Sequence, residues 1–184
     1  MEDPYRRLSH RELYRNPWLG VEAHEIVHPN GEKGEHVLVV IPRASAVVVE
    51  DGAELLFTRQ PRFAARHWVV EVVKGGSDEG ETPLECARRE LREELGIVAG
   101  RWTELGRLWE IPSVVNEPLG IFLARDLEFE TADPEAHESI EPVRMAIDDA
   151  LAAAIDGRLD DAVTVAALFR YAAATGRFRS ALEA

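Results

Sequence analysis

Cysteine is almost absent from this sequence, long apolar runs are missing, and the 21 lysines and arginines are outnumbered by 34 acidic residues. The one cysteine, Cys86, excludes an internal disulfide and favours a reducing cytoplasm as the place of action. No apolar run approaches the roughly 20 residues that cross a membrane, and the polar residues 1–16 do not resemble a secretory signal. The formal net charge of −13 argues against a nucleic-acid-binding protein.

The remaining composition is that of a globular protein. Of its 184 residues, 46% are hydrophobic and 30% are charged, which suits one domain with at most a small extension. A chain this acidic can bind a polyphosphate only through a metal ion or a local basic cluster. Either feature would therefore mark a candidate polyphosphate site.

Turn residues and apolar runs predict several strands in the first part of the chain. A turn is expected at His28–Gly31, and Val37–Pro42 is expected to be a buried strand. Asp51-Gly52 predicts a hairpin between strands at Ala46–Val49 and Glu54–Phe57.

Later segments alternate between strands and helices, so we predict an α/β fold with a mixed sheet covered by helices. The expected elements are strands at Trp68–Val73, Trp102–Trp109 and Gly120–Ala124, a loop at Asp133–Glu141, a helix at Met145–Ile155 ending at Gly157, and a last helix capped by Asp160 or Asp161 that ends near Gly176.

The segment from Thr82 to Gly96 predicts a well-delimited helix. Thr82 and Glu85 have the spacing of a capping box, Pro83 suits the first helical position, and Gly96 suits a left-handed C-terminal cap. One face of this helix is an apolar stripe formed by Leu84, Ala87, Leu91 and Leu95.

Three acids of this helix lie within a sector of about 100°. They are Glu90, Glu93 and Glu94, and we expect Arg88, Arg89 and Arg92 on the other side of the helix. A solvated acidic face is one explanation. A site for Mg²⁺ or Mn²⁺ is the other, because hard cations need several carboxylate oxygens on one rigid surface. The preceding loop Lys74–Glu81 holds three glycines, which allow sharp backbone turns.

These residues together resemble the Nudix box, which is Gly, five residues, Glu, seven residues, then Arg-Glu-aliphatic-any-Glu-Glu-any-Gly-aliphatic. The match covers 23 residues at every defined position: Gly75, Glu81, Arg89, Glu90, Leu91, Glu93, Glu94, Gly96 and Ile97. From Tyr14 to Tyr171 the chain is similar to the ADP-ribose pyrophosphatase-like branch of that family.

The resemblance implies an α/β/α sandwich with a mixed central sheet that hydrolyses a nucleoside diphosphate joined to another group. It implies an N-terminal β extension over residues 1–44, with dimerisation and substrate contacts, and a Nudix domain over 45–184. By position, Glu90 and Glu94 would be the main Mg²⁺ or Mn²⁺ ligands, helped by Glu93 and by the backbone carbonyl of Lys74. Arg89 and Glu81 would form a structural ion pair within the motif.

Further positions are similar to the ADP-sugar branch. Trp18 would stack on adenine, often across a homodimer interface, and Arg59 and Arg62 match an arginine pair in which Arg62 touches phosphate. Pro112 lies close to where the branch carries a proline. Two departures are Lys74, where a small residue is usual, and the missing glycine after Pro112.

The resemblance places the general base on the acidic loop, at Glu138 or, alternatively, at Glu135. The expected substrate is ADP-ribose or another ADP-sugar, giving AMP and a sugar phosphate. The alternatives are a Nudix hydrolase of a GDP-sugar, dinucleoside polyphosphate or damaged nucleotide, and a module that binds nucleotide-sugars without turnover. Nucleic acid and membrane are not expected partners.

Overall fold

The computed structural model describes residues 3–134 and 138–178. The chain forms two compact units: the first is the chain up to Arg43 together with Trp109–Pro118, and the second is Ala44–Leu108 with the chain from Leu119 onward. A division at residue 44 alone would omit Trp109–Pro118 from the first unit. Within the described ranges no helix has the length and apolar character needed to span a membrane.

The first unit is built on a three-stranded antiparallel sheet in the order β1-β2-β3. Its strands are β1 (Arg6–Arg15), β2 (Gly20–Val27) and β3 (Lys33–Val40). The predicted turn at His28–Gly31 is confirmed, with the Gly31 amide donating to the His28 carbonyl at 2.8 Å. The strand predicted at Val37–Pro42 exists but is not buried, since Val37 on this outer strand of the sheet is 42% exposed.

The second unit contains a seven-stranded sheet and three helices. The strands are β4 (Ala44–Asp51), β5 (Glu54–Arg62), β6 (His67–Glu71), β7 (Val73–Gly76), β8 (Ile97–Leu108), β9 (Leu119–Phe129) and β10 (Glu141–Ala146). The helices are α1 (Pro83–Leu95), α2 (Ile147–Asp156) and α3 (Ala162–Ala174). The central order is β10-β5-β4-β9-β8, with β6 paired to β5 and β7 paired to β4.

Strand β4 shows how the sheet separates two apolar layers. Ala46 and Val48 pack into the cluster that includes α2 and α3, whereas Val47 and Val49 pack into the cluster that includes α1. All four side chains are buried, which explains a continuous apolar run in place of alternation. Because β4 pairs in parallel with β9 and antiparallel with β5 and β7, the sheet is mixed. The predicted α/β/α sandwich with an N-terminal β extension is confirmed.

Several predicted elements differ from the observed ones in their bounds, and two differ in more than that. The strand predicted at Trp68–Val73 is split, because β6 pairs with β5 whereas β7 pairs with β4. The helix predicted from Met145 begins at Ile147, because Met145 pairs with Leu55 as part of β10. Cross-strand pairing thus overrides the local helix signal there.

Candidate active site on helix α1

The ends of α1 are fixed by local hydrogen bonds. The Thr82 hydroxyl accepts from the Glu85 amide at 3.3 Å, and the Glu85 carboxylate accepts from the Thr82 amide at 2.9 Å. Gly96 ends the helix in the left-handed conformation with φ 63°. Ala87 and Leu91 are buried under the sheet, so the apolar stripe sets the rotation of the helix and the direction of its acids.

The most buried acid of the helix is Glu94, which is 5% exposed. Its Oε2 atom has no hydrogen-bond partner among the described residues. Burial raises the pKa of Glu94 to about 9, and the charges of Glu90 and Glu138 add to this effect. Removing a charged carboxylate from water without giving it a partner is costly, so this atom needs a cation or a proton.

Glu90 lies against the backbone of the glycine-rich loop. A Cβ atom on Gly75 would stand 2.1 Å from the Glu90 carboxyl carbon, so only glycine leaves room for this side chain. Burial raises the pKa of Glu90, and the charges of Glu93 and Glu138 act in the same direction, while Arg89 opposes them. The charge of Glu138 therefore acts on both Glu90 and Glu94. The alternative base, Glu135, lies outside the described residues.

Arg89 connects the loop, the helix and two of the acids. It donates to Glu81 from Nε at 3.1 Å and from Nη2 at 3.0 Å, and its Nη2 also donates to the Gly76 carbonyl at 2.7 Å. Its Nη1 donates to Glu90 at 2.7 Å and to Glu93 at 3.0 Å. The pKa of Glu81 is lowered, chiefly by the hydrogen bonds from Arg89.

These contacts correct one prediction. We expected the arginines of α1 on the opposite side of the helix from the acids, and for Arg89 this is wrong. Its long side chain reaches along the helix to the residues one and four positions later, where it holds Glu90 and Glu93. Among the described residues, the Oε2 atom of Glu94 remains without a hydrogen-bond partner.

The acids of α1 form a candidate donor set for a divalent cation. No three acidic, histidine or cysteine side chains of the described residues already stand in a metal-binding arrangement. Two observations nevertheless favour a cation here: the unpaired buried oxygen of Glu94, and the space that Gly75 leaves for the Glu90 carboxylate. The chemistry of the set, all carboxylate oxygen, suits Mg²⁺ or Mn²⁺.

Arg62, at the end of β5, and Lys74, in β7, meet at a buried carboxylate that the sequence did not single out. Arg62 pairs with Glu71 through Nε at 2.6 Å, and Lys74 pairs with the same carboxylate at 2.5 Å. Burial lowers the pKa of Arg62, but the hydrogen bond and the charge of Glu71, together with the charges of Glu94 and Asp161, raise it by more. The pKa of Arg62 is therefore raised overall. Glu71 could have been noticed as a lone acid within the apolar run of β6 and β7.

The other predicted substrate residues lie in different surroundings. Arg59 donates to Glu141 at 2.6 Å and stacks over Trp68 at 4.6 Å from the ring centroid. Trp18 and Pro112 belong to the first unit, where Trp18 is 67% exposed. An exposed indole of this size is available for stacking.

Comparison with known proteins agrees with this geometry. The family model of the NUDIX domain matches residues 40–168, and that of the nucleoside diphosphate sugar hydrolase N-terminal domain matches residues 5–39. The ADP-ribose pyrophosphatase of Bacillus subtilis (strain 168) is 26% identical over 166 residues, covering 89% of this chain and 90% of that protein.

Two further similar proteins are named as hydrolases of ADP compounds. The ADP compounds hydrolase NudE of Escherichia coli (strain K12) is 30% identical over 166 residues, covering 88% of each chain. A crystal structure of an ADP compounds hydrolase superposes with a TM-score of 0.81 at 26% identity, covering 94% of this chain and 96% of that one. The chain therefore belongs to the Nudix family, within its branch of ADP-ribose pyrophosphatase-like hydrolases.

Proposed function

We propose that the protein hydrolyses the pyrophosphate bond of ADP-ribose or another ADP-sugar, giving AMP and a sugar phosphate, with Mg²⁺ or Mn²⁺ as cofactor. The observation that carries this proposal is the buried, unpaired carboxylate of Glu94 beside Glu90. The relatives named ADP-ribose pyrophosphatase and ADP compounds hydrolase support ADP compounds as the substrate class.

Four groups would hold the cation. Glu90 and Glu94 are the main ligands, Glu93 assists, and the backbone carbonyl of Lys74 contributes a further oxygen. When bound, the metal neutralises phosphate charge and lowers the pKa of a coordinated water. Glu90 must exchange its contact with Arg89 for the cation, whereas Glu94 has no such contact to give up.

Three further side chains have roles in catalysis and in substrate binding. Glu138 is the general base that takes the proton from the attacking water, and the action of its charge on Glu90 and Glu94 supports a position near them. Arg89, held by Glu81, keeps the glycine-rich loop against the helix. Arg62 contacts a substrate phosphate through the edge of its guanidinium that Glu71 does not occupy.

The first unit would contribute the recognition of adenine. Trp18 stacks on the base, and Pro112 is a second substrate contact of the same unit. Arg59, which lies over the ring of Trp68, attracts the anionic substrate through its positive charge. These assignments predict that Trp18→Ala raises KM for ADP-ribose more than it lowers kcat.

We also propose that the protein is a cytoplasmic homodimer. All ten residues of β1 are exposed, including Leu8, Leu13 and Tyr14, and β1 is an outer strand of its sheet. A long exposed outer strand with apolar side chains favours pairing with a second copy. Light scattering of Leu13→Lys should then give half the mass of the native protein.

One assay tests the reaction. The protein is incubated with Mg²⁺ and ADP-ribose, ADP-glucose, GDP-mannose or a dinucleoside polyphosphate, and the products are separated by chromatography. AMP with a sugar phosphate supports the proposal. Preferential turnover of a GDP-sugar or a dinucleoside polyphosphate would replace the substrate, and tight binding without products would refute catalysis.

Glu138→Gln and Glu79→Gln form a matched pair for the proposed base. Glu79 is an exposed glutamate of the glycine-rich loop, so its substitution controls for the loss of one charge. Glu138→Gln should lower kcat about a hundredfold or more, and Glu79→Gln should leave it within about twofold. Equal rates for the two variants would remove Glu138 from the mechanism.

A further inference from the structure

The carboxylate of Glu71 is shared by two cations from different strands. Glu71 is 1% exposed, and Arg62 binds its Oε1 at 2.6 Å and its Oε2 at 3.2 Å. The ammonium of Lys74 lies 2.5 Å from Oε2. A buried charge is tolerated only when it is paired, so both cations stabilise this carboxylate.

Lys74 has a second anionic partner on a distant part of the chain. Its ammonium donates to Asp161 Oδ1 at 2.7 Å, and the other oxygen of Asp161 caps α3 by accepting from the Thr164 amide at 2.9 Å. The Thr164 hydroxyl in turn accepts from the amide of Val72 at 3.0 Å. The first turn of α3 therefore fixes the segment between Glu71 and Lys74 at two points.

We propose that Lys74 is a positioning residue for Arg62, which it keeps available to a substrate phosphate by sharing the charge of Glu71. This inference rests on the proposed function, because it gives Arg62 its phosphate contact.

Lys74 affects Arg62 electrostatically because both cations pair with the carboxylate of Glu71. With Lys74 present, the two cations Arg62 and Lys74 face the two acids Glu71 and Asp161, so the local charge is balanced. Without Lys74, the buried Glu71 would rely on Arg62 alone. The guanidinium would be held more tightly by the protein, and a phosphate would compete for it less well.

Substitutions at Lys74 and Asp161 separate this role from a structural one. Lys74→Met removes the charge and keeps an unbranched chain, and it should weaken binding of a phosphate ligand about tenfold. Asp161→Asn keeps a capping oxygen for α3 but leaves Lys74 entirely to Glu71. Binding should then be unchanged or tighter. A merely structural network would weaken binding in both variants.

The probe is α,β-methyleneadenosine diphosphate, whose phosphate bridge is not hydrolysed. Its Kd is measured by calorimetry, with Mg²⁺ and with EDTA, for the native protein, Lys74→Met, Arg62→Ala and the double variant. The loss caused by Lys74→Met should vanish in the Arg62→Ala background, because Lys74 acts through Arg62. Lys74→Arg should restore native binding, and thermal unfolding verifies that each variant is folded.

Several results would overturn the inference: native protein that does not bind the probe, equal Kd values for native protein and Lys74→Met, or the same loss with and without Arg62. These outcomes differ from a failure of the proposed function. A protein that cleaves no ADP compound but shows the expected coupling between Lys74 and Arg62 would refute the reaction and leave the positioning role intact.

Discussion

Substituting Glu94 with glutamine should remove activity and, without metal, raise the stability of the protein. The carboxylate of Glu94 is buried, with a pKa of about 9 in the folded chain against an ordinary value of 4.5. The folded state therefore binds a proton that the unfolded chain has already released at neutral pH. Stability falls as the pH rises from about 4.5 to about 9, and glutamine does not titrate.

The size of this effect follows from the two pKa values. Each pH unit above 4.5 costs about 1.4 kcal/mol until the folded-state pKa is reached. The penalty is then at most about 1 kcal/mol at pH 5 and about 3 kcal/mol at pH 7. Glu94→Gln should exceed the native protein in unfolding free energy by these amounts, since glutamine occupies the same space without the charge.

Urea unfolding followed by circular dichroism measures the difference, in EDTA at pH 5 and pH 7. Glu79→Gln, on an exposed residue of the glycine-rich loop, is the control and should differ little from the native protein at either pH. Saturating Mg²⁺ should reverse the order, because only the native carboxylate gains a cation. A stability difference that does not grow with pH would contradict the reasoning, as would full activity of Glu94→Gln.

Three further predictions concern the glycines and the metal. Gly75→Ala should lower kcat/KM about a hundredfold with little loss of stability, because the new Cβ displaces the end of the Glu90 side chain and leaves the backbone in place. Unchanged steady-state kinetics would contradict this. Gly96→Ala should cost at least about 1–2 kcal/mol in urea unfolding, since its φ is positive and the Cβ would stand 2.4 Å from the Glu130 carbonyl oxygen. Mg²⁺ at a hundred times its Kd should raise the unfolding free energy by about 2.7 kcal/mol, and a melting temperature insensitive to Mg²⁺ would argue against the site.

Local signals in the sequence predicted α1 almost completely. The capping box at Thr82 and Glu85 and the terminal Gly96 depend only on residues within one helix, so their spacing is visible in the sequence. The same holds for the hairpin at Asp51 and for the cap of α3 at Asp161. The chemistry-bearing acids lie on α1, and their order along the chain therefore identified the candidate site.

Interactions between distant segments could not be predicted from the sequence. Lys74 and Asp161 are 87 positions apart, so their ion pair depends on how α3 packs against the sheet. Met145 lies in a strand because Leu55 is beside it, not because of its own preference. Arg89 was misplaced for another reason: a helical wheel gives the direction of Cβ, whereas the guanidinium reaches several ångströms away from it.

The charges around α1 link metal binding to stability. Arg89 stabilises Glu90 and Glu93 without a metal, but Glu94 is left with only a proton to offset its burial. A helix that contained only such acids would be weakened by their repulsion. Here the caps and the buried Leu91 hold α1 in place, so the acids can remain close together. A cation that binds Glu94 must displace its proton below pH 9, and metal affinity should therefore increase with pH over the neutral range.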